Sequence, residues 1–365
     1  MKKSLIALTL AALPVAAMAD VTLYGQIKAG VEVSKVKLGS DIAAATGNST
    51  KSATATEIAD FGSRIGFKGH EHLGDHFNAI WQIEQNTSVA GTDSGWGNRE
   101  SFIGLEGDWG KIRAGKLDTT VKNTDAAIDP WEYSNTALGM GVLTRSSVSE
   151  RAVSVRYDTP VFAGFSASVQ YAPRDNVNSS DKYTHKVATG ETYYAGLNYE
   201  NSGFFGQYAG GYRKHTLNSD NTAAIAKDGQ LHRLTLGYDA NNLLVAVAGQ
   251  YGKNWETEGQ YVAALSNGAI DDSTLTGAVE TTEVAGTLAY RFGNVTPRVS
   301  YAHGFEYKVD GSKVHDSDYN QVVVGADYDF SKRTTALVSA GWLKAGSGAS
   351  KIENYAGMVG LRHKF

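Results

Sequence analysis

The chain has 365 residues, no cysteine, and 38 acidic against 34 basic side chains, which gives a formal charge of −4. The absence of cysteine excludes disulfides and cysteine-ligated metals, and a chain of this length can bury a core without such cross-links. The acidic balance argues against a nucleic-acid partner, because nucleic-acid-binding proteins present a basic surface.

Residues 1–19 have the parts of a secretory signal peptide. Lys2 and Lys3 form a basic start, residues 4–17 are apolar or small, and residues 17–19 (AMA) fit a cleavage site. A permanent membrane anchor is the alternative, but this apolar stretch is shorter than the roughly 20 residues that a spanning helix needs. We therefore expect residues 1–19 to be removed and residues 20–365 to form one domain without linkers.

The mature sequence alternates apolar and polar residues with a period of two, which predicts strands rather than helices of period 3.6. The pattern recurs at 60–70, 77–84, 284–292 and 298–301, and in the last residues up to Phe365. In the segment 60–70, which is the second predicted strand of the chain, Phe61, Ile65 and Phe67 are predicted to share the apolar face. In the first strand, the predicted apolar face carries Val21, Leu23, Ile27, Ala29, Val31 and Val33.

We count about 16 such segments of about ten residues, the length that a tilted strand needs to cross a bilayer core. The mean hydropathy of −0.29 is typical of a soluble protein. Membrane barrels nevertheless average to neutral, because lipid-facing and lumen-facing residues alternate. Every backbone group of a spanning sheet must be paired, so the strands should close into one antiparallel barrel.

The connections between the predicted strands alternate in length. Short turns at one end and long loops at the other are typical of outer-membrane barrels, whereas a β-sandwich has no reason to alternate. Short turns are predicted near 73–75, 107–110, 158–160, 201–203, 239–242, 292–294 and 331–333. Long polar connections are predicted at 34–56, 118–148, 173–190, 214–230, 253–281 and 305–318.

Several stretches resemble the trimeric general porins of Gram-negative outer membranes, most closely the neisserial porins. The resemblance covers nearly all predicted strands and fades in the long loops, and a terminal Phe is usual in such barrels. It is carried by residues 20–25 (DVTLYG), 62–69 (GSRIGFKG), 96–105 (WGNRESFIGL), 154–158 (SVRYD), 290–304 (YRFGNVTPRVSYAHG), 328–333 (YDFSKR) and 360–365 (GLRHKF).

The resemblance implies an all-β, 16-stranded antiparallel transmembrane β-barrel in the outer membrane that assembles as a homotrimer. Its function would be a water-filled channel for passive diffusion of small hydrophilic solutes and ions, without catalysis, cofactor or metal. The implied partners are the lipid bilayer and lipopolysaccharide, with host surfaces or antibodies meeting the external loops. The family's third long loop folds into the barrel, and residues 118–148, which follow the fifth predicted strand, fit that loop.

Charges around the narrowest point would set selectivity. Strand parity places Arg64 and Lys68 opposite Ile65 and Phe67, and Arg156 opposite Val155 and Tyr157. By resemblance, Arg64, Arg99 and Arg156 match the family's cluster of barrel-wall arginines, and we also expect Lys28 and Arg113 to face inward. Residues 128–132 (IDPWE) resemble the family's acidic loop tip, so the negative side is predicted to be Asp118, Asp125, Asp129 and Glu132 on the inserted loop.

The alternatives for these charges are ordinary ones. The acids could belong to a solvated loop, and Arg64 and Arg156 could pair structurally with carboxylates of the lumen. Preference for anions or cations is left open.

His70, His72 and His76 could suggest a metal site, but they fall at a predicted short turn, and the sequence lacks the Gly-x-Ser-x-Gly and His-Glu-x-x-His motifs of a hydrolase. A surface adhesin is the third class considered.

Overall fold

The computed structural model describes residues 20–74, 76–91, 96–131, 133, 135–177, 191–214, 216–217, 224–225, 227–270 and 275–365. The predicted signal peptide, residues 1–19, and the predicted loop acid Glu132 lie outside the described residues. Among the residues that are described, no helix is long and apolar enough to cross a membrane.

Sixteen antiparallel strands pair in sequence order across the described residues, and the last strand pairs back with the first. Within the part of the chain that the structure describes, the barrel is therefore closed and leaves no free edge, as predicted. The strands are β1 (Asp20–Leu38), β2 (Ala55–Asp60 continued by Arg64–Gly74), β3 (Phe77–Asn86), β4 (Ser101–Gly107), β5 (Gly110–Asp118), β6 (Arg151–Asp158), β7 (Phe165–Ala172), β8 (Thr192–Asn201), β9 (Phe204–Arg213), β10 (Gly229–Ala240), β11 (Leu243–Thr257), β12 (Ala278–Tyr290), β13 (Val295–Gly304), β14 (Tyr319–Asp329), β15 (Thr334–Ala345) and β16 (Ile352–Lys364).

The described helices and 3₁₀ turns lie in the long connections, which join the strands at one end of the barrel. The described helices are α1 (Ser40–Thr46), α2 (Asp125–Ile128), α3 (Arg174–Val177) and α4 (Glu258–Leu265). Short 3₁₀ turns lie at Lys122–Thr124, Thr136–Leu138 and Gly348–Ser350. At the other end the turns are tight: Ser202-Gly203 and Asn241-Asn242 have positive φ at both central residues, the geometry that fits the twist of a hairpin. The predicted alternation of short turns and long loops is confirmed.

The barrel wall is apolar outside and polar inside. On β1, Val21 and Val31 are 58% and 43% exposed, whereas Lys28 and Glu32 are 1% and 3% exposed. A sheet that faced water on its outer surface would show the opposite arrangement. The alternation read from the sequence therefore matches a barrel whose outer face meets hydrocarbon.

One position departs from the predicted alternation. Phe61, expected on the outer face with Ile65, is 1% exposed and turned into the barrel. The reason is a break in β2, where Gly62 has a φ of +96° and the Asp60 side chain accepts hydrogen bonds from the N–H groups of Gly62 and Ser63, both 2.9 Å. Irregular residues change the side-chain parity, so the prediction for Phe61 was wrong.

Candidate pore constriction

The connection between β5 and β6 lies inside the barrel. It leaves the wall at Asp118 and returns at Arg151, which are partners in the ladder between the two strands. Its apolar side chains are buried against the wall, and they pack with apolar residues of the wall and of the other connections in one interior hydrophobic cluster. We call residues 119–150 the inserted loop. Its fully or nearly fully buried members include Ile128, Trp131, Leu138, Met140 and Leu143.

The tip of the inserted loop is docked on the wall strands β12 and β13. The indole Nε1 of Trp131 donates to Ser300 Oγ at 2.8 Å, and Thr287 Oγ1 donates to the carbonyl oxygen of Ile128 at 2.6 Å. Arg298 donates to the carbonyl oxygen of Pro130 at 2.6 Å and lies over the Trp131 ring. The loop therefore crosses the lumen to strands that are distant in sequence.

Lys28 holds the same tip from β1. Its Nζ donates to the carbonyl oxygen of Trp131 at 2.9 Å and lies 4.3 Å from the centre of the Tyr133 ring. Tyr133 also packs edge-on against Phe61, with ring centres 5.4 Å apart, at the break in β2. The sequence placed Lys28 correctly inside the barrel, but its charge is buried under the loop.

The returning part of the inserted loop is fixed by a buried cluster of charges. The guanidinium of Arg145 donates to both carboxylate oxygens of Glu256, and its Nη1 lies 2.8 Å from an oxygen of Glu283. The side chains of all three are 2% exposed or less. Tyr319 donates to Glu283 at 2.9 Å, and the Tyr261 ring lies beneath the guanidinium. We call Arg145, Glu256 and Glu283 the anchor triad.

A second buried arginine joins the anchor triad to the start of the loop. Arg233 on β10 donates through Nη1 to Asp125 and through Nη2 to the carbonyl oxygen of Leu143, the latter at 3.0 Å. Its Nε donates to Gln250 at 2.8 Å, and Gln250 in turn donates to Glu283 at 2.8 Å. Sequence reasoning found neither Arg145 nor Arg233. The inward parity of Arg233, Glu256 and Glu283 was the available signal.

Between the inserted loop and the wall formed by β2 to β6 lies a cleft of about 290 Å³. Three arginines, Arg64, Arg99 and Arg151, line the wall side. The loop side carries Lys122, Asp125 and Asp129 together with Tyr133 and Thr144. Cationic and anionic side chains thus face one another across the described part of the lumen.

The three wall arginines are positioned by carboxylates of neighbouring strands. Arg99 pairs with Glu84 and donates to Asn86 at 3.0 Å, and Arg151 Nε lies 2.6 Å from an oxygen of Asp118. Arg64 is 3.9 Å from Glu84. The side chain of Arg64 is 27% exposed, against 18% for Arg99 and 17% for Arg151. Arg64 is therefore the most exposed of the three wall arginines.

The two loop acids are held from behind the cleft. Asp125 accepts hydrogen bonds from Arg233 and, at 2.7 Å, from Ser149 Oγ, and it lies 3.5 Å from Lys122 Nζ. Asp129 accepts from Thr144 Oγ1 at 3.1 Å. Burial raises the pKa of the Asp129 carboxyl above its ordinary value, backbone N–H groups oppose that rise, and the charge of Asp125 adds to it.

The other predicted charges lie outside this cleft. Arg113 lies 3.1 Å from Glu100 and 2.9 Å from Asp158, and Arg156 lies 2.7 Å from the same Asp158, with both arginines buried. Lys68 is exposed in the lumen and lies over the ring of Tyr24.

Asp118 requires a correction. It was expected on the inserted loop but is the last residue of β5, because the ladder with Arg151 continues to that position. Of the predicted charges, the cleft thus brings together Arg64, Arg99, Asp125 and Asp129. Arg151, which lines the cleft as well, was missed because its parity at the strand start is ambiguous.

Comparison with known proteins gives three relationships. Residues 34–365 match the family model described as Gram-negative porin. The chain is 61% identical to the major outer membrane protein P.IB of Neisseria sicca, over all of both chains. It is 53% identical to the protein of the same name from Neisseria gonorrhoeae, again over all of both chains.

Solved structures share the architecture at low sequence identity. The anion-selective porin of Comamonas acidovorans matches with a TM-score of 0.66 at 20% identity. The match covers 95% of this chain and 100% of the Comamonas chain. At these identities the likeness extends to the fold alone.

Proposed function

The chain belongs to the family of Gram-negative porins and forms a channel in the outer membrane, and from this premise we propose that its constriction selects by charge among small hydrophilic solutes and ions. The protein is a channel rather than an enzyme. The proposal is carried by one observation: Arg64, Arg99 and Arg151 face Asp125 and Asp129 across the cleft between wall and inserted loop.

The physical argument concerns the field between the two sides. Opposed charges at a constriction with low-dielectric walls focus the field across the path of the solute. Alignment with that field lowers the free energy of a dipolar solute in the constriction. An apolar solute instead displaces water from the charged groups, and the loss of their hydration raises the free energy of its passage. Lumen-facing charges keep much of their hydration, so the barrel can carry them at little cost.

Removing the charge of Arg64 is expected to shift the preference of the channel toward cations. Arg64 is the most exposed of the three wall arginines, so its alanine variant removes a positive charge from the surface of the cleft, and its ion pair with Glu84 is long, at 3.9 Å. The measurement is the reversal potential of the reconstituted channel in a salt gradient.

The matched control is Arg156→Ala, which removes the same charge from a buried position beside Asp158. We expect Arg156→Ala to lower the temperature of unfolding and to change the reversal potential less than Arg64→Ala does. A reversal potential that is unchanged in Arg64→Ala and shifted in Arg156→Ala would contradict the assignment of the cleft as the selective region.

For the oligomer, we propose a homotrimer that packs through the outer faces of β1 and β16. Between Val21 and Val33 the outward positions of β1 carry no aromatic side chain, whereas β7 to β9 present Tyr171, Tyr193, Tyr208 and Tyr212. Interfacial Tyr and Trp mark lipid-facing surface at the membrane boundary, so their absence from this part of β1 favours contact of β1 with protein. The related fold of Vibrio cholerae OmpT has been solved in a trimer form, at 14% identity and a TM-score of 0.64.

Replacing Val31 by tryptophan is expected to dissociate the trimer. Val31 points outward beside Val359, and a tightly packed protein interface cannot accommodate the added volume, whereas fluid lipid can. Val247→Trp on β11 is the control, because Val247 is likewise exposed on the outer face but far from β1. Subunit number is read from unheated gels or light scattering, and an intact trimer in Val31→Trp would exclude this face.

We also propose lipopolysaccharide as a partner, with host surfaces or antibodies contacting the external loops. Lys37 and Lys344 are the ladder partners of Glu353 on either side, and Lys351 lies 3.0 Å from it, all at the loop end of the barrel. An excess of lysine at the loop end of the barrel suits phosphate-bearing headgroups. Protein purified in mild detergent without bound lipopolysaccharide would contradict this assignment.

A further inference from the structure

Arg233 contacts the inserted loop without reaching the cleft. Its side chain is fully buried, and its guanidinium is surrounded by the loop residues Thr124, Asp125 and Leu143. The third nitrogen, Nε, is bound to Gln250 on the neighbouring strand. Every nitrogen therefore has a protein partner on the side of the loop away from the pore.

Asp125 stands between Arg233 and the pore. Its Oδ1 accepts from Arg233 and from Ser149, and its Oδ2 faces Lys122 at 3.5 Å. The same side chain is 18% exposed and lines the cleft opposite the wall arginines. One carboxylate thus belongs both to the buried network and to the surface that a solute meets.

We infer that Arg233 is a specificity-determining residue: from behind the loop it offsets the negative charge that Asp125 presents to the cleft. The inference rests on the proposed function, because it assumes that charges in the cleft set selectivity. A buried guanidinium interacts with its partner through a low dielectric, so salt in the pore screens this interaction little. A permeating ion therefore meets the field of an ion pair rather than that of a free carboxylate.

The inference predicts the direction in which each substitution shifts the reversal potential, whereas a purely structural role of Arg233 predicts no direction. Arg233→Met removes the hidden positive charge and should shift the reversal potential toward cations, although the residue does not line the cleft. Asp125→Asn leaves Arg233 without its carboxylate and should shift the reversal potential toward anions. The double variant removes both charges, so the two opposite shifts should cancel and the reversal potential should return close to that of the unmodified channel.

The experiment uses full-length channels in planar bilayers with a potassium chloride gradient, and Arg64→Ala is recorded in parallel. If Arg233→Met and the double variant shift equally, Arg233 acts only as a structural anchor and the inference fails. If Arg233→Met does not fold, Asp125→Asn alone decides, since the absence of an anionic shift overturns the inference. A shift in Arg64→Ala without the Arg233 pattern rejects this inference alone, whereas no shift in any variant rejects the charged constriction itself.

Discussion

Replacing Gly341 by valine is expected to force the inserted loop off the barrel wall and to widen the channel. Gly341 lies on β15 opposite the loop, and a Cβ atom at this position would lie 1.7 Å from the carbonyl oxygen of Ala137. Both groups are backbone-fixed, and Ala137 and Leu138 are fully buried, so no side-chain rotation can relieve the overlap. The loop must move, because the wall strand is held by ladders on both sides.

Single-channel conductance measures this effect, and we expect it to rise in Gly341→Val. Gly249→Val is the control, because the outward Cβ of residue 249 meets no atom within 4 Å. Overpacking typically costs about 1–3 kcal/mol, which a closed barrel of this size should survive. A folded Gly341→Val channel with unaltered conductance would show that the loop is not held against β15 in the membrane.

Replacing Arg145 by methionine is expected to destabilise the inserted loop and to make the current unsteady. The substitution leaves Glu256 and Glu283 buried without their cation, and breaking such a buried pair costs about 3–5 kcal/mol. Burial alone would lower the pKa of Arg145, but the two carboxylates hold that pKa well above its ordinary value. The cation is therefore present at every pH at which the channel can be studied.

The change should appear as frequent partial closures in single-channel records, because Thr144, the neighbour of Arg145, lines the cleft and bonds Asp129 at 3.1 Å. Combining Arg145→Met with Glu256→Gln and Glu283→Gln removes the uncompensated charge and should restore part of the steady current. Arg333→Met, on the exposed turn after β14, is the control for losing one arginine. Steady current in the single variant would mean that the anchor triad is dispensable.

The barrel could be predicted from the sequence because its signals are local. Alternation along Val21 to Val33 identifies a strand with one apolar face, and the order of short and long connections identifies the membrane class. The exception at Phe61 depends on Gly62 and on the side chain of Asp60, a local irregularity that no periodic pattern records.

The constriction could be predicted only in part, because strand parity distinguishes inside from outside but not one part of the lumen from another. Arg64 and Arg156 have the same inward parity, yet the first lines the cleft and the second is buried beside Asp158. Lys28 also faces inward, but the loop tip covers it. The path of the inserted loop decides these outcomes, and that path depends on contacts such as Arg145 with Glu283, 138 residues apart.

The docking of the loop tip has a consequence for the order of assembly. Trp131 is bound by Lys28, 103 residues earlier, and by Ser300, 169 residues later. These partners become neighbours of the loop only when the two ends of the chain have met along the seam between β1 and β16. Contacts of such long range form late in folding. A newly closed barrel should therefore pass through a stage with an unobstructed lumen, and narrowing of the pore should be the last step of its maturation.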